Sequence, residues 1–153
     1  MVESDALQLQ IVAEQSEGEI MRLIADYLLG VVTVFQESEG EPYEGKVAVA
    51  EVILRRTKRK YMSDGTVAGT VLRRKQFSAW NDDAPNRIRS LKIDSSNKVV
   101  DDCVRAWTEA DKGSNLVPGC LHYYAHNIVS PPWAKDAEVV TVIGNHTFVR
   151  GVK

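Results

Sequence analysis

Residues 36 to 45 read QESEGEPYEG and set four glutamates between two long apolar segments, IADYLLGVVTVF before them and KVAVAEVIL after. A carboxyl group at the edge of an apolar core is a candidate proton donor, because partial desolvation disfavours its charged form and holds the proton nearer neutral pH. The four acids separate by position. Glu41 precedes Pro42 and Glu44 falls in the first turn of the following segment. There a carboxylate complements free N–H groups and the positive end of a helix dipole, so both read as helix caps. Glu39 lies two residues from Glu37, roughly 200° around a helix, and is expected to face solvent. Glu37 itself falls about 100° from the centre of the preceding apolar stripe, in a last turn where the dipole also disfavours a negative charge. That is the setting of a general acid. It is equally the setting of an ordinary helix-end glutamate bonded to a neighbouring segment, and the pattern leaves both readings open. Glu51 interrupts VAVAEVIL. A carboxylate on a buried helix requires a partner, and Arg55 at i+4 is the one expected.

His122, His126 and His146 raise the question of a metal. A His-x-x-x-His pair binds zinc when a helix brings both to one face, but 122–126 reads as strand and loop and no HExxH glutamate is present, so no metal and no cofactor is expected. His122 or His146 reads instead as a hydrogen-bond partner near a cleft or as a satisfied core residue. Cys103 and Cys120 are too few for a disulfide framework and read as reduced thiols.

These residues must be placed by the surrounding elements. Ser16 and Glu19 have the S-x-x-E spacing of a capping box, and behind them Ile20, Leu23, Ile24, Tyr27, Leu28, Val31, Val34 and Phe35 recur at helical spacing. Gly30 and the β-branched VVTV argue for a strand at 31–35, but the phase runs unbroken through Gly30, which favours helix. Gly40 is expected in the left-handed conformation that ends a helix, and Pro42 as the first residue of the next. KVAVAEVILRR is apolar nearly all round, as a central helix should be. A short helix at 66–74 and another at about 96–112 follow, the second with Val100, Cys103, Val104 and Trp107 on one face. After Pro118, LHYYAH is strand-like, SPPW is a rigid extended loop, and VVTVI-GN-HTFVR is a hairpin with a Gly-Asn turn. Helices followed by a small antiparallel sheet define an α+β domain, mostly helical, with the hairpin at its C-terminal end. One domain over 1–153 is expected, with 1–16 as an extension and a core at about 17–150.

Hydrophobic residues are 44% and charged residues 26% of the chain, with a formal net charge of −2 and a pI near 5.9, which gives no general field for nucleic acid. The basic runs RRTKRK and RRK read as solvated helix ends. No stretch of about 18 apolar residues could span a membrane, and the acidic MVESDALQLQIVAE lacks the basic start of a signal peptide, so the expected place of synthesis is the cytoplasm.

The segments E-S-E-G-E-P-Y-E-G-K-V-A-V-A-E-V-I, Q-F-S-A-W-N, H-Y-Y, P-P-W-A and I-G-N-H-T-F, in this order, resemble the SleB-type cell wall hydrolase family of spore-cortex-lytic enzymes and phage-borne lysins. The resemblance runs from about Ala25 to Arg150. It implies a lysozyme-like domain that cuts peptidoglycan glycan strands between N-acetylmuramic acid and N-acetylglucosamine, often as a lytic transglycosylase, and it places the catalytic acid on Glu37. Ser38 stands for the usual alanine, and in V-I-L-R-R Arg55 takes the place of the family's asparagine, so no family role passes to Arg55.

Glycoside cleavage ordinarily takes two carboxyl groups. Only Glu37 stands out, which suits a transglycosylase that uses one glutamate as acid and then as base. A hydrolysing muramidase with Glu39, Asp82 or Asp83 as second acid is the near alternative, and a non-catalytic glycan-binding or virion module the more distant one. Sugar rings stack on aromatic faces and bond to amides. Gln76, Ser78, Trp80 and Asn81 in one stretch, with His122, Tyr124 and Trp133 in the other, are the expected binding residues. For Trp80, Tyr124 and Trp133 core packing stands beside cleft lining as an equal alternative, whereas Phe77 and Trp107 read as core. The expected partner is peptidoglycan, not nucleic acid or membrane, and the chain is expected to act as a monomer. The expected setting is a phage lysin that reaches a thin host wall once the inner membrane is breached.

Overall fold

A computed structural model describes residues 2–74, 76–77, 80–81 and 97–153, without the side chains of 2–4, 9 and 11–15. Helix α1 runs Val2–Ser38 and α2 Tyr43–Arg59. Helices α3 (Val67–Val71) and α4 (Lys98–Asp111) follow, then strand β1 (His122–Ala125), a 3-10 turn at Pro132–Ala134, and strands β2 (Glu138–Ile143) and β3 (His146–Arg150). The sheet is antiparallel in the order β1-β3-β2. The α+β reading therefore holds, and so does helix rather than strand at 31–35. SPPW is not wholly extended, since Pro132 starts a 3-10 turn.

Three boundary expectations fail. Ser16 and Glu19 do not open a helix, because α1 passes through them and both are exposed. The LQLQIVAEQ ahead of Ser16 contains neither Gly nor Pro, so nothing breaks the helix where a capping box would have to begin. Gly40 is not among the left-handed residues of the chain. The carbonyls it was expected to satisfy are instead taken up by a buried lysine, described below. Pro42 is the N-cap of α2 rather than its first turn, with φ −62° and ψ 163°.

The core centres on α2, whose Val47, Ala48, Val49, Ala50, Val52 and Ile53 are all at most 1% exposed. Val31, Val34 and Phe35 of α1, Val71 of α3, Cys103 and Trp107 of α4, and Phe148 of β3 close around it. The apolar stripe of α1 reaches this core only near its end. Ile20, Met21, Leu23, Ile24 and Leu28 remain exposed among the described residues. Thr66 and Asn97 cap α3 and α4 with side-chain bonds to Gly69 N and Val99 N.

Gly30, which weakens α1 by intrinsic propensity, is required by packing. A Cβ there would lie 2.4 Å from two ring carbons of Trp107. Gly30→Ala should therefore lower stability by about 1–3 kcal/mol through overpacking, even though alanine is the better helix former. Chemical denaturation that found the variant more stable would contradict this packing.

Candidate active site

Glu37 sits in the last turn of α1, and the corner after it is held by Lys46. From the first turns of α2 the Lys46 ammonium donates to the carbonyls of Ser38 (2.7 Å), Glu39 (3.2 Å) and Glu41 (2.6 Å). Lys46 is only 3% exposed. Three carbonyl dipoles stand where a carboxylate would otherwise be needed, and the negative end of α1 suits a cation. Glu41 does not cap α2, whose N-cap makes no side-chain bond. Its Oε2 accepts from Asn145 N at 3.0 Å in the β2–β3 turn, and its Oε1 lies 3.9 Å from His146 Nε2. Gly144, at φ +55°, passes so close to Glu41 and Pro42 that a Cβ would meet both. Glu44 does fall in the first turn of α2, as expected. Lys46→Met should cost about 2–3 kcal/mol, as charge-assisted bonds to backbone are lost. A melting temperature lowered by roughly 4–12 °C would register this loss; an unchanged one would show the clamp to be idle.

Glu37 is half-buried. Tyr123 Oη on β1 donates to its Oε2 at 2.7 Å. Burial raises its pKa above the ordinary carboxyl value, and the Tyr123 hydrogen bond and the Arg56 charge pull the other way. Arg56, 7% exposed, makes no ion pair with Glu37 among the described residues. Its Nε donates to Leu121 O (2.7 Å) and its Nη1 to Gln76 Oε1 (3.1 Å), and the guanidinium lies over the Tyr61 and Phe77 rings. Tyr123 is itself buried enough that its pKa is raised well above normal, so its hydroxyl remains a donor.

The other expected residues fall into two sets. His122 bonds Tyr61 Oη through Nε2 at 3.0 Å and packs against Trp133 at 5.2 Å between centroids. Tyr124 meets Trp133 edge-to-face at 5.9 Å, and Trp133 is 40% exposed. Burial, with help from Arg56, lowers the His122 pKa to about 4, so the ring is neutral at pH 7. Successive strand residues alternate sides, so His122 and Tyr124 leave β1 away from Tyr123. The two sets are linked in relay at the start of β1, where Arg56 bonds Gln76 and lies over the Tyr61 ring, and Tyr61 bonds His122. Gln76 is tied to Arg56. Trp80 packs against the core edge, and its indole N–H is taken up by Thr33 Oγ1 at 2.9 Å. Asn81 is half-buried beside it in sequence. Ser78, Asp82 and Asp83 lie outside the described residues. Phe77 and Trp107 are core, as expected.

Arg56, Tyr61 and Lys46 make contacts around the site that sequence reasoning did not foresee, and Tyr123, offered by the sequence with Tyr124 and Trp133 as a sugar-binding aromatic, instead bonds Glu37. Strand alternation against Phe148 could have singled out Tyr123; the others depend on contacts distant in sequence. His146 is buried, and its Nδ1 has no partner among the described residues. Cys103 and Cys120 are both free, and burial pushes the Cys103 thiol up to about 12. No group of three metal-ligating side chains comes together among the described residues, and no described helix is long and apolar enough to cross a membrane.

A mostly helical domain that ends in a small three-stranded antiparallel sheet has a lysozyme-like fold. The chain belongs to the Cell Wall Hydrolase family, whose model matches residues 40–149, a span that begins just after Glu37. It is similar to the spore cortex-lytic enzymes of Oceanobacillus iheyensis, at 31% identity over 125 residues, and of Bacillus subtilis, at 28% over 123. These stretches cover 82% and 80% of the chain but only 41% and 37% of those relatives, so the chain spans about two fifths of their length. Among solved structures it resembles the catalytic domain of the Bacillus cereus SleB protein, with TM-score 0.67, 27% identity, and coverage of 82% of this chain and 89% of that one. The catalytic domain of the germination-specific lytic transglycosylase SleB from Bacillus anthracis matches with TM-score 0.64 and 27% identity, over 82% and 93%. These relatives are spore proteins by their names, and the lysin setting gains no support from them.

The raised pKa of Glu37 has two consequences. Its folded value lies above its unfolded one, so this group's stabilising contribution is present below the unfolded pKa and is lost as pH rises through the folded pKa. Glu37→Gln should therefore unfold less readily than the parent at neutral pH, and the difference should vanish in acid. Tyr123→Phe removes an influence that lowers the pKa, so carbon NMR should find the Glu37 carboxyl titrating at higher pH. A downward shift would contradict the assigned hydrogen bond.

Proposed function

We propose that the chain cleaves peptidoglycan glycan strands between N-acetylmuramic acid and N-acetylglucosamine, as a lytic transglycosylase with Glu37 as its single acid and base. The observation that carries this reading is the state of Glu37: a half-buried carboxyl, raised in pKa, with Oε2 held by Tyr123 and Oε1 accepting no hydrogen bond among the described residues. Protonated Glu37 gives its proton to the bridging oxygen as the bond from the muramic C1 breaks. The resulting carboxylate is stabilised by the Tyr123 hydroxyl and the Arg56 charge. It then takes the proton of the C6 hydroxyl as O6 bonds to C1 and closes a 1,6-anhydro ring. The proton returns to Glu37 and no water is consumed. Desolvation keeps the proton on Glu37 before the first step and makes the carboxylate a stronger base for the second, while Tyr123 and Arg56 ease loss of the proton in the first, so the opposed influences on one pKa serve both roles.

His122, Tyr124 and Trp133 are the sugar-stacking candidates, with Tyr61 holding the His122 ring. Gln76 and Trp80 serve instead to position Arg56 and the end of α1, since the Gln76 side-chain oxygen accepts from Arg56 and the Trp80 indole N–H is taken by Thr33. Asn81 and Ser78 stay as candidates for acetamido contacts. The names of the relatives supply the cortex as one source of the substrate. Comparing clearance of cortex fragments with that of thin Gram-negative walls separates a cortex-lytic role from the lysin setting.

Glu37→Gln should reduce wall clearance by about 10²–10⁴-fold with the fold intact. Mass spectrometry of parent digests should find anhydro-muramic ends. Clearance by the variant at the parent rate would remove Glu37 from the mechanism, while reducing muramic ends would replace transglycosylation by hydrolysis. Walls that are bound without release of fragments would mark a glycan-binding module.

A further inference from the structure

A cleft of about 670 Å³ lies between the last turns of α2 and the end of α4, and none of the residues around Glu37 line it. Its walls carry Leu54, Arg55, Lys58, Arg59, Ala110 and Asp111. The size is that of a small-ligand site. Arg55 forms its fixed inner part: Nη1 donates to Cys120 O at 2.8 Å and Nη2 lies 3.9 Å from Glu51 Oε1, with the side chain 14% exposed. Lys58 and Arg59 are exposed at the rim and make no ion pair among the described residues. Glu51 also lines the cleft and offsets part of the Arg55 charge, with its carboxylate accepting from Ser114 Oγ (2.6 Å), Leu116 N (2.9 Å) and Val117 N (3.0 Å), so that Lys58 and Arg59 supply the remaining positive charge. The opposite wall offers one carboxylate, Asp111, and the methyl surface of Ala110.

We propose that this cleft binds a short acidic peptide, the chemistry of a peptidoglycan stem, beside the glycan strand. Carboxylates of the peptide would meet Arg55, Lys58 and Arg59, its amine would meet Asp111, and alanine-sized side chains would rest on Leu54 and Ala110. Burial lowers the pKa of Arg55, the Glu51 charge acts against this, and the neighbouring Arg59 charge adds a smaller repulsion that an anion between the two arginines relieves. Cations at the end of α2 also complement its dipole. That alone calls for neither a cleft nor a sequestered guanidinium at its base. A mixed-charge lining favours a zwitterionic peptide over a simple polyanion. The identification of the peptide as a stem rests on the wall-cleaving reading; the binding itself does not.

The test titrates the chain with the tripeptide L-alanyl-γ-D-glutamyl-meso-diaminopimelate, followed by calorimetry or amide NMR. Saturable binding is expected, and the double variant Lys58→Gln/Arg59→Gln should weaken it about tenfold, two exposed charge contacts being removed. Both residues are exposed, so the fold should survive. With glycan strands as substrate, the variant should lose rate on strands that carry stems and keep the parent rate on strands stripped of them. Absence of saturable binding overturns the proposal, as do equal affinity in the variant, equal loss of rate on both substrates, or binding of inorganic pyrophosphate without the tripeptide. Peptide binding by a chain that cleaves neither substrate would instead sink the glycan-cleavage reading and leave this site standing.

Discussion

The ammonium of Lys46 is the contact on which the site depends. A helix ends with four carbonyls lacking helical partners, and α1 ends at the residue after Glu37 without a left-handed glycine to turn the chain back. Lys46 supplies what the backbone does not, bonding three successive parts of the corner from within the core. Removing an ammonium from water is costly unless its hydrogen bonds are replaced. Here all three protons have carbonyl acceptors, so the charge is tolerated and the corner is fixed. Glu41 then extends the same corner to the β2–β3 turn, and β3 carries β1, from which Tyr123 reaches back to Glu37.

The same device recurs along α2. Lys46, Glu51, Arg55 and Arg56 are charged residues on a helix that is otherwise core, and each meets the backbone of a connecting segment more closely than it meets an opposite charge. Lys46 holds the 38–41 corner, Glu51 the amides of Leu116 and Val117, Arg55 the carbonyl of Cys120 and Arg56 that of Leu121. The Glu51–Arg55 pair expected from their spacing exists, but at 3.9 Å it is the longest of the Glu51 contacts. Connecting segments have no ladder of their own to satisfy their polar groups. A central helix whose buried charges serve that purpose explains why the approach to β1 is ordered by side chains 60-odd residues away in sequence.

This arrangement also explains what was legible in the sequence. The apolar periodicity of 31–35 and of α2, the face of α4 and the Gly-Asn hairpin are local patterns, and each produced the expected element. Glu37 was legible because helical phase alone places it at the edge of the core. The roles of Glu41 and Gly40 were not, because a hairpin more than 100 residues downstream and a lysine six positions on displaced the local capping rules. Trp80 illustrates the same limit. An aromatic in an aperiodic stretch fits a cleft or a core equally, and only the Thr33 contact distinguishes them. The capping box at Ser16 failed for the converse reason: a correct local motif has no effect where nothing ends the helix before it.

The state of Glu37 follows from how Arg56 is engaged. A guanidinium paired directly with a buried carboxylate holds the carboxylate charged, and such a group cannot donate a proton near neutral pH. In this fold Leu121 and Gln76 accept from Arg56, and the rings of Tyr61 and Phe77 lie along its faces. Its charge therefore reaches Glu37 through space without an ion pair, strong enough to moderate the effect of burial and too weak to cancel it. Tyr123 adds a neutral donor to one oxygen only. The carboxyl is left able to hold a proton and able to lose it, a balance that a closer arginine or a drier pocket would destroy. Gln76 thus bears on the proton of Glu37 without touching it, by fixing where the positive charge of Arg56 rests.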